Sequence, residues 1–187
     1  VPASRTAYAR VEMDGEDFGL YTAVQAVDKR FLKDMFGTAD DADDGNLYQC
    51  EPPGCNLEYL GESKADYCFA DCGEGEECGL VLKTNEEDPA WNNYADLIHF
   101  LDVLNNTPDD VFEEEIALVF EVDIFLRWMA VAVAISDYDS YLCVPDNFFL
   151  YHRPDTGRFV FIPWDHNKSY GIKKCRDSDE LTGGPVD

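Results

Sequence analysis

Two aromatic-rich runs in the last quarter of the chain, NFFLYH (147–152) and RFVFIP (158–163), flank a Pro154–Gly157 turn cluster. No other pattern in the chain constrains its fold as tightly. β-Branched and aromatic residues bounded by turn formers read as a hairpin, Asn147 to His152 and Arg158 to Pro163. The second run leads through Trp164 straight into Asp165, His166, Asn167 and Lys168, so polar side chains stand at the mouth of an apolar strand. Asp139 and Asn147 stand ahead of the first run. Carboxylates and an amide at the ends of paired strands occupy the positions where a rigid scaffold presents functional groups.

The rest of the chain reads as further strands and a helical half. YARVEM, the turn DGED and FGLYTAVQAV alternate well enough for a second hairpin over residues 7–27, with Asp14-Gly15 as the tight turn. DKRFLKDMF follows as a short helix stopped by Gly37. TADDADDGN resembles a calcium loop when Gly45 is set at its sixth position, with Asp40, Asp44 and Glu51 as ligands. Its third position is Ala42, and an acidic surface turn is the expected structure. NLYQCE reads as a strand, and a Cys-rich insertion continues to about residue 79. From Asp88 the period becomes helical, with Tyr94, Leu97, Ile98, Leu101 and Leu104 on one stripe. Thr107, Pro108 and Asp110 signal the start of a helix through VFEEEIALVF. Asp123 opens IFLRWMAVAVAI, which is apolar on nearly every side and is expected as a central core helix, with Asp139 just past its end. Trp91, Trp128 and Trp164 are expected in core or interface packing, and His166 at the surface or capping.

Charge and cysteines bound the partners. A chain of 187 residues suits one domain with a real core. Its 39 acidic and 14 basic residues give a formal net charge of -25, which repels nucleic acid and anionic membranes and attracts cations or basic segments. Of the 7 cysteines, Cys50, Cys55, Cys68, Cys72 and Cys78 crowd into one stretch, with Cys143 and Cys175 far behind. Their spacing does not repeat the paired short knuckles of a zinc site, so disulfides are expected, mostly within the crowded stretch, with connectivity open. No apolar run approaches the roughly 20 residues that span a bilayer. The chain opens in mid-pattern without a signal peptide and closes on ELTGGPVD, which suggests a piece of a larger secreted precursor.

The order of small-sheet elements, helices, Asp, Asn, hairpin and Asp follows the logic of protein kinases. There one aspartate accepts the substrate hydroxyl proton, an asparagine a few residues on holds metal, and a later aspartate holds metal across the phosphates. Asp139, Asn147 and Asp165 are the corresponding residues here. Spacing alone does not separate them from helix caps and turn formers.

The residues go further than spacing. MDGEDFGLYTAVQAVDKRFL, GNLYQCE, LVLKTN, FEVDIFLRWMAVAVAISDYDS, DNFFLYHRPDTGRFVFIPWD and SYG fall in order along residues 7–171. In them the chain resembles the spore-coat protein H (CotH) kinase family of atypical, usually secreted protein kinases. The resemblance implies an α+β, atypical protein-kinase-like fold. It would have a small N-terminal β-rich part and a helical C-terminal part, one partial domain over 1–187 with the Cys-rich stretch at about 50–79 as an embellishment. It implies Asp139 as the catalytic base, Asp165 of the Pro-Trp-Asp motif and Asn147 as ligands of Mg²⁺ or Mn²⁺, and ATP as the phosphoryl donor. Asp139 and Asp165 are expected to face one cleft. The implied activity is transfer of the γ-phosphoryl group to Ser or Thr of an extracellular or coat protein. Where the family commonly has an acidic residue in the second strand and a lysine after Leu-Tyr, this chain has Gln25 and Gln49, and Asn167 replaces a second carboxylate. Lys83 and Lys29 are left as candidates for the nucleotide phosphates. The two glutamines favour the alternative, a catalytically weak or inactive extracellular binding or structural module on the same fold.

Overall fold

The computed structural model describes residues 1–52, 55–67, 79–173 and 175. The chain runs β1 (Thr6–Met13), β2 (Glu16–Val24), α1 (Lys29–Phe36), β3 (Leu47–Glu51), β4 (Gly79–Leu82), α2 (Ala95–Asn106), α3 (Phe112–Val119), α4 (Val122–Ala134), β5 (Phe148–Arg153) and β6 (Arg158–Pro163). β3 to β6 make one sheet in the order β4-β3-β5-β6, with every neighbouring pair antiparallel. Alternation along the strands sorts their side chains onto two faces. Tyr48, Leu150, Phe159 and Phe161 join the core beneath α2, α3 and α4. Leu47, Phe149, Tyr151, Val160 and Ile162 point the other way, onto Phe31 and Leu32 of α1. The sheet is therefore a middle layer, which is why β5 and β6 read as continuous apolar runs and not as half-polar ones.

This is an α+β architecture, but its strands are shared differently from a β-rich first part and a helical second part. The hairpin expected at residues 147–163 is present and enters the sheet beside β3, so that strands from both halves of the chain lie side by side. Helices α2 to α4 form the long connection between β4 and β5. β1 and β2 pair with each other as a separate two-stranded sheet. Their turn, Asp14 at φ 53° and Gly15 at φ 81°, puts both central residues in the left-handed region that a two-residue hairpin requires. Tyr8, Met13, Leu20 and Val24 remain exposed on this hairpin.

Local chemistry sets the helix ends. Asp28 caps α1 by accepting from the Phe31 N–H at 2.9 Å, and Gly37 closes it at φ 79°. The helical pattern from Asp88 becomes a helix only at Ala95. Trp91 and Asn92 N–H groups both turn back to the Asp88 carbonyl, and Tyr94 sits at φ 61° ahead of α2. Asp96 on its first turn is half-buried among Tyr48, Asn46 and His152. The Tyr48 hydroxyl donates to Oδ1 at 2.6 Å, the Asn46 amide donates to Oδ2 at 3.0 Å, and His152 Nδ1 stands 3.1 Å from Oδ2.

The acidic stretch before β3 is the expected turn, with Asp40, Asp41 and Asp44 exposed, but its other side is packed: Ala42, Asp43 and Asn46 are buried, and a Cβ on Gly45 would land on the His152 carbonyl oxygen. Its acids do not gather as calcium ligands, because Asp44 takes Lys29 at 2.6 Å while Glu51 faces Lys83 at 4.0 Å. α4 is not a central helix either. Trp128 and Ala132 are buried, with the indole 4.3 Å from the Phe161 ring, but Leu126, Val131 and Val133 are exposed. α4 meets the sheet through one face, so its other apolar side has no sheet to lie on. Disulfides join Cys50 to Cys55 and Cys143 to Cys175. The first lies within the crowded stretch, as expected, while Cys68, Cys72 and Cys78 lie outside the described residues.

Candidate active site at the end of β5 and β6

Antiparallel pairing places the start of β5 beside the end of β6, with Phe148 opposite Pro163. Asn147 and Trp164 extend that ladder by one bond, the Trp164 N–H donating to the Asn147 carbonyl at 3.0 Å. Asn147 stands at φ 58°, a conformation asparagine tolerates better than most residues, and its side-chain amide donates to the Asp139 carbonyl at 2.7 Å. One residue thus ties the loop after α4 to the end of the sheet. Asp165, next along the chain and also left-handed at φ 48°, is exposed at the same end.

Asp139 itself is only 3% exposed. Its two carboxylate oxygens meet two lysines that follow Asp165: Lys168 Nζ lies 2.8 Å from Oδ2, and Lys173 Nζ contacts Oδ1. Burial pushes the Asp139 pKa up, but hydrogen bonds and charge from Lys168 and Lys173 outweigh it and hold the carboxyl below its usual range. Lys168 is pushed up in turn by its bond to Asp139, with Asp165 and Asp146 adding to the effect. Lys168 therefore sits in the field of three carboxylates.

A second pair crosses the same gap. Asp137 is fully buried, and its Oδ2 lies 2.5 Å from His166 Nδ1. The Ser140 hydroxyl donates to the Asp137 carbonyl at 2.6 Å, and the Asp137 N–H closes the end of α4 onto the Ala132 carbonyl at 2.9 Å. Asp137 Oδ1 is buried without a hydrogen-bond partner among the described residues. His166, expected as a surface or capping residue, is exposed and also links the loop after β6 to a buried acid.

Asp165 borders a cleft of about 510 Å³ whose other wall comes from the base of the first hairpin, including Ser4, Thr6, Thr22 and Val24. Gln25, at the end of that hairpin, donates its backbone N–H to the Arg5 carbonyl and approaches Asp34 of α1 at 3.5 Å through its amide. Asn167 is exposed, with its N–H 3.4 Å from Asp165 Oδ1. The remaining sequence candidates go elsewhere. Lys29 is engaged by Asp44, next to Gly45, which meets the Tyr151 hydroxyl towards the far end of β5. Lys83 follows β4 and turns its ammonium towards Glu51 on β3.

The structure therefore brings Asp139, Asn147 and Asp165 to one end of the sheet and adds Lys168, Lys173, Asp137 and His166, but the buried Asp139 does not line the cleft that Asp165 borders, where one cleft was expected for both. Lys168 was within reach of a sequence reading, since it lies between Asp165 and Gly171. Lys173 carried only its closeness to Cys175, whose partner no spacing rule identifies. Among the described residues, no three or more His, Cys, Asp or Glu side chains gather as a metal cage. Asp165 and Asn147 do offer the hard oxygen donors that suit Mg²⁺ or Mn²⁺, ions that take few protein ligands and complete their shell with phosphate and water.

Comparison with known proteins adds two findings. The CotH kinase protein family model matches residues 1–184. The inner spore coat protein H of Bacillus subtilis (strain 168) is 26% identical over 167 residues, which is 89% of this chain and 41% of that protein.

Proposed function

The chain belongs to the CotH kinase family, and from that membership we propose that it is a phosphotransferase moving the γ-phosphoryl group of ATP to a Ser or Thr hydroxyl of a coat or extracellular protein. The observation that supports it is the Asn147 bridge, which couples Asp139 to the residue before Asp165. Asp139 would accept the proton of the acceptor hydroxyl, a role that needs a carboxylate ionised at neutral pH. Its lysine partners keep it so. Asp165 and Asn147 would hold Mg²⁺ or Mn²⁺, which when bound neutralises charge between the β- and γ-phosphates. Trp164, packed edge-to-face on Phe149 at 5.8 Å, fixes the backbone from which Asp165 projects. A coat or extracellular setting is supported by the spore coat relative and by the Cys50–Cys55 and Cys143–Cys175 disulfides, a bond type that persists in oxidising surroundings.

A non-enzymatic binding or coat module is the second reading, favoured by the uncharged Gln25 and Gln49 and by an Asp139 whose two oxygens already face cations. Incubation of the purified chain with labelled ATP and Mn²⁺, alone and with basic protein substrates, separates the two. Phosphate incorporation that is lost in Asp139→Ala supports the phosphotransferase. No incorporation, and no nucleotide binding with either cation in a folded sample, leaves the binding module.

A further inference from the structure

We propose that Lys168 and Lys173 are the polyphosphate-binding residues of this chain, receiving the phosphate oxygens of a nucleoside triphosphate presented with a divalent cation. Only the identity of the ligand rests on the phosphotransferase reading; the cationic site stands on its own geometry. Two ammonium groups converge on opposite oxygens of one buried carboxylate, with Asp165 and Asp146 acting on Lys168 from farther off, so both lysines are gathered at one point of the surface. An ammonium carries three N–H donors. After one bond to Asp139 each lysine keeps two for another oxygen, and the Lys168 side chain is 50% exposed. Asp139 then acts as the anchor that aims both groups.

The arrangement is built in, and more than the two ion pairs holds it. The Lys173 N–H turns back to the Lys168 carbonyl at 3.3 Å, which closes the six residues into one loop. The Tyr170 N–H donates to the Ile135 carbonyl at 2.6 Å and pins that loop to the end of α4, while the Ser169 hydroxyl donates to the His166 carbonyl at 2.8 Å. Two residues past Lys173, Cys175 is bonded to Cys143 in the loop that carries Asp139. Preorganised lysines lose less side-chain freedom when they meet an anion.

The charge balance of the whole chain gives the pair its importance. At a net charge of -25, a polyanion is repelled everywhere except where cations are gathered. Elsewhere Lys29 is engaged by Asp44 and Lys83 faces Glu51, while Gln25 and Gln49 carry no charge. The loop after Asp165 thus supplies positive charge that positions 25 and 49 do not. Asp165 and Asp146 press on Lys168 with opposite sign, so a divalent cation at Asp165 would free the lysine to face phosphate.

Calorimetric titration of the full chain with Mn²⁺ and either inorganic tripolyphosphate, ATP or adenosine tests the proposal. Lys168→Gln and Lys173→Gln keep a hydrogen-bond donor for Asp139 without the charge, and Lys168→Arg keeps both. Each glutamine variant should weaken tripolyphosphate and ATP binding about tenfold or more, with adenosine binding unchanged and most affinity retained by Lys168→Arg. The proposal is overturned if the wild type does not bind tripolyphosphate, if folded glutamine variants bind it undiminished, or if Lys29→Ala or Lys83→Ala abolishes binding instead. Should a glutamine variant fail to fold, the arginine variant of that lysine and competition by salt decide in its place: affinity unaffected by salt overturns the proposal. Tripolyphosphate bound through both lysines without phosphoryl transfer from ATP would keep the site and discard the enzyme. Transfer that ignores both lysines would do the reverse.

Discussion

Asp139 and Asp165 lie at the same end of the sheet but in different surroundings, and the difference predicts different losses. Asp139 is buried and held by lysines, whereas Asp165 is exposed beside the cleft. Asp139→Ala should lower phosphoryl transfer by about 10² to 10⁴, the usual worth of a general base, and the ATP binding that remains once Lys168 and Lys173 lose their anchor should still depend on Mn²⁺. Asp165→Ala should lose metal-dependent nucleotide binding together with turnover. Equilibrium binding and single-turnover transfer, measured on both variants, check the pair; equal loss of binding in both would remove the division of roles. Asp96 offers a test of stability at the same scale. Burial pushes its pKa up from the ordinary 3.8, but bonds from His152 and Tyr48 win and leave it lowered. A carboxylate lowered in the folded state contributes stability that is complete above its unfolded pKa and lost as pH falls through the folded one. Wild-type stability should therefore decline below about pH 4, and Asp96→Asn should flatten that limb while lowering stability at pH 7, both read from urea midpoints.

At the level of elements, hairpins and the Gly37 stop of α1 were legible, because a two-residue turn or a glycine stop is decided by neighbouring residues, whereas α2, α3 and α4 start without the side-chain caps their sequences suggested. The 147–163 hairpin, the 7–27 hairpin and the helix ended by Gly37 all form where their residues indicate. Partnership between elements was not legible. Nothing in NFFLYH says that it lies against LYQCE some hundred residues earlier, and nothing in IFLRWMAVAVAI says that only one side meets the sheet. The same limit divides the site. Asp139, Asn147 and Asp165 could be picked out by motif, whereas Asp137 and Lys173 become site residues only once the loop after β6 folds onto the loop after α4. The placement of α4 has a measurable consequence. Trp128→Ala, which removes the ring packed against both Phe125 and Phe161, should destabilise the chain by about 3–5 kcal/mol, whereas Leu126→Gln and Val133→Gln on the exposed side should change it by less than about 0.5 kcal/mol. Urea denaturation of the three variants measures this directly. Losses of several kcal/mol at Leu126 or Val133 would mean that this side of α4 is covered in solution.

Charge dominates the molecule as a whole. The 39 acidic residues are met by 14 basic ones, and many of those form exposed pairs such as Arg10–Asp17 and Arg127–Asp123 that contribute little individually. What remains is a surplus of negative charge spread over one compact fold, which disfavours the folded state because it holds those charges closer than the unfolded chain does. Added salt acts on the two components in opposite directions. It weakens the exposed pairs, each worth about 0–1 kcal/mol, and it screens the long-range repulsion as the Debye length falls from roughly 30 Å at 0.01 M to about 8 Å at 0.15 M. Repulsion involves every acid at once, whereas the pairs are few and local, so screening should win. The melting temperature should rise by several degrees between 10 mM and 150 mM NaCl, since about 1 kcal/mol moves the midpoint roughly 2–4 °C in a chain of this length. The rise should be the same for NaCl and KCl, as screening by ionic strength requires. A melting temperature that falls with salt would show that the ion pairs, including the two lysines on Asp139, outweigh the net charge in holding this fold together.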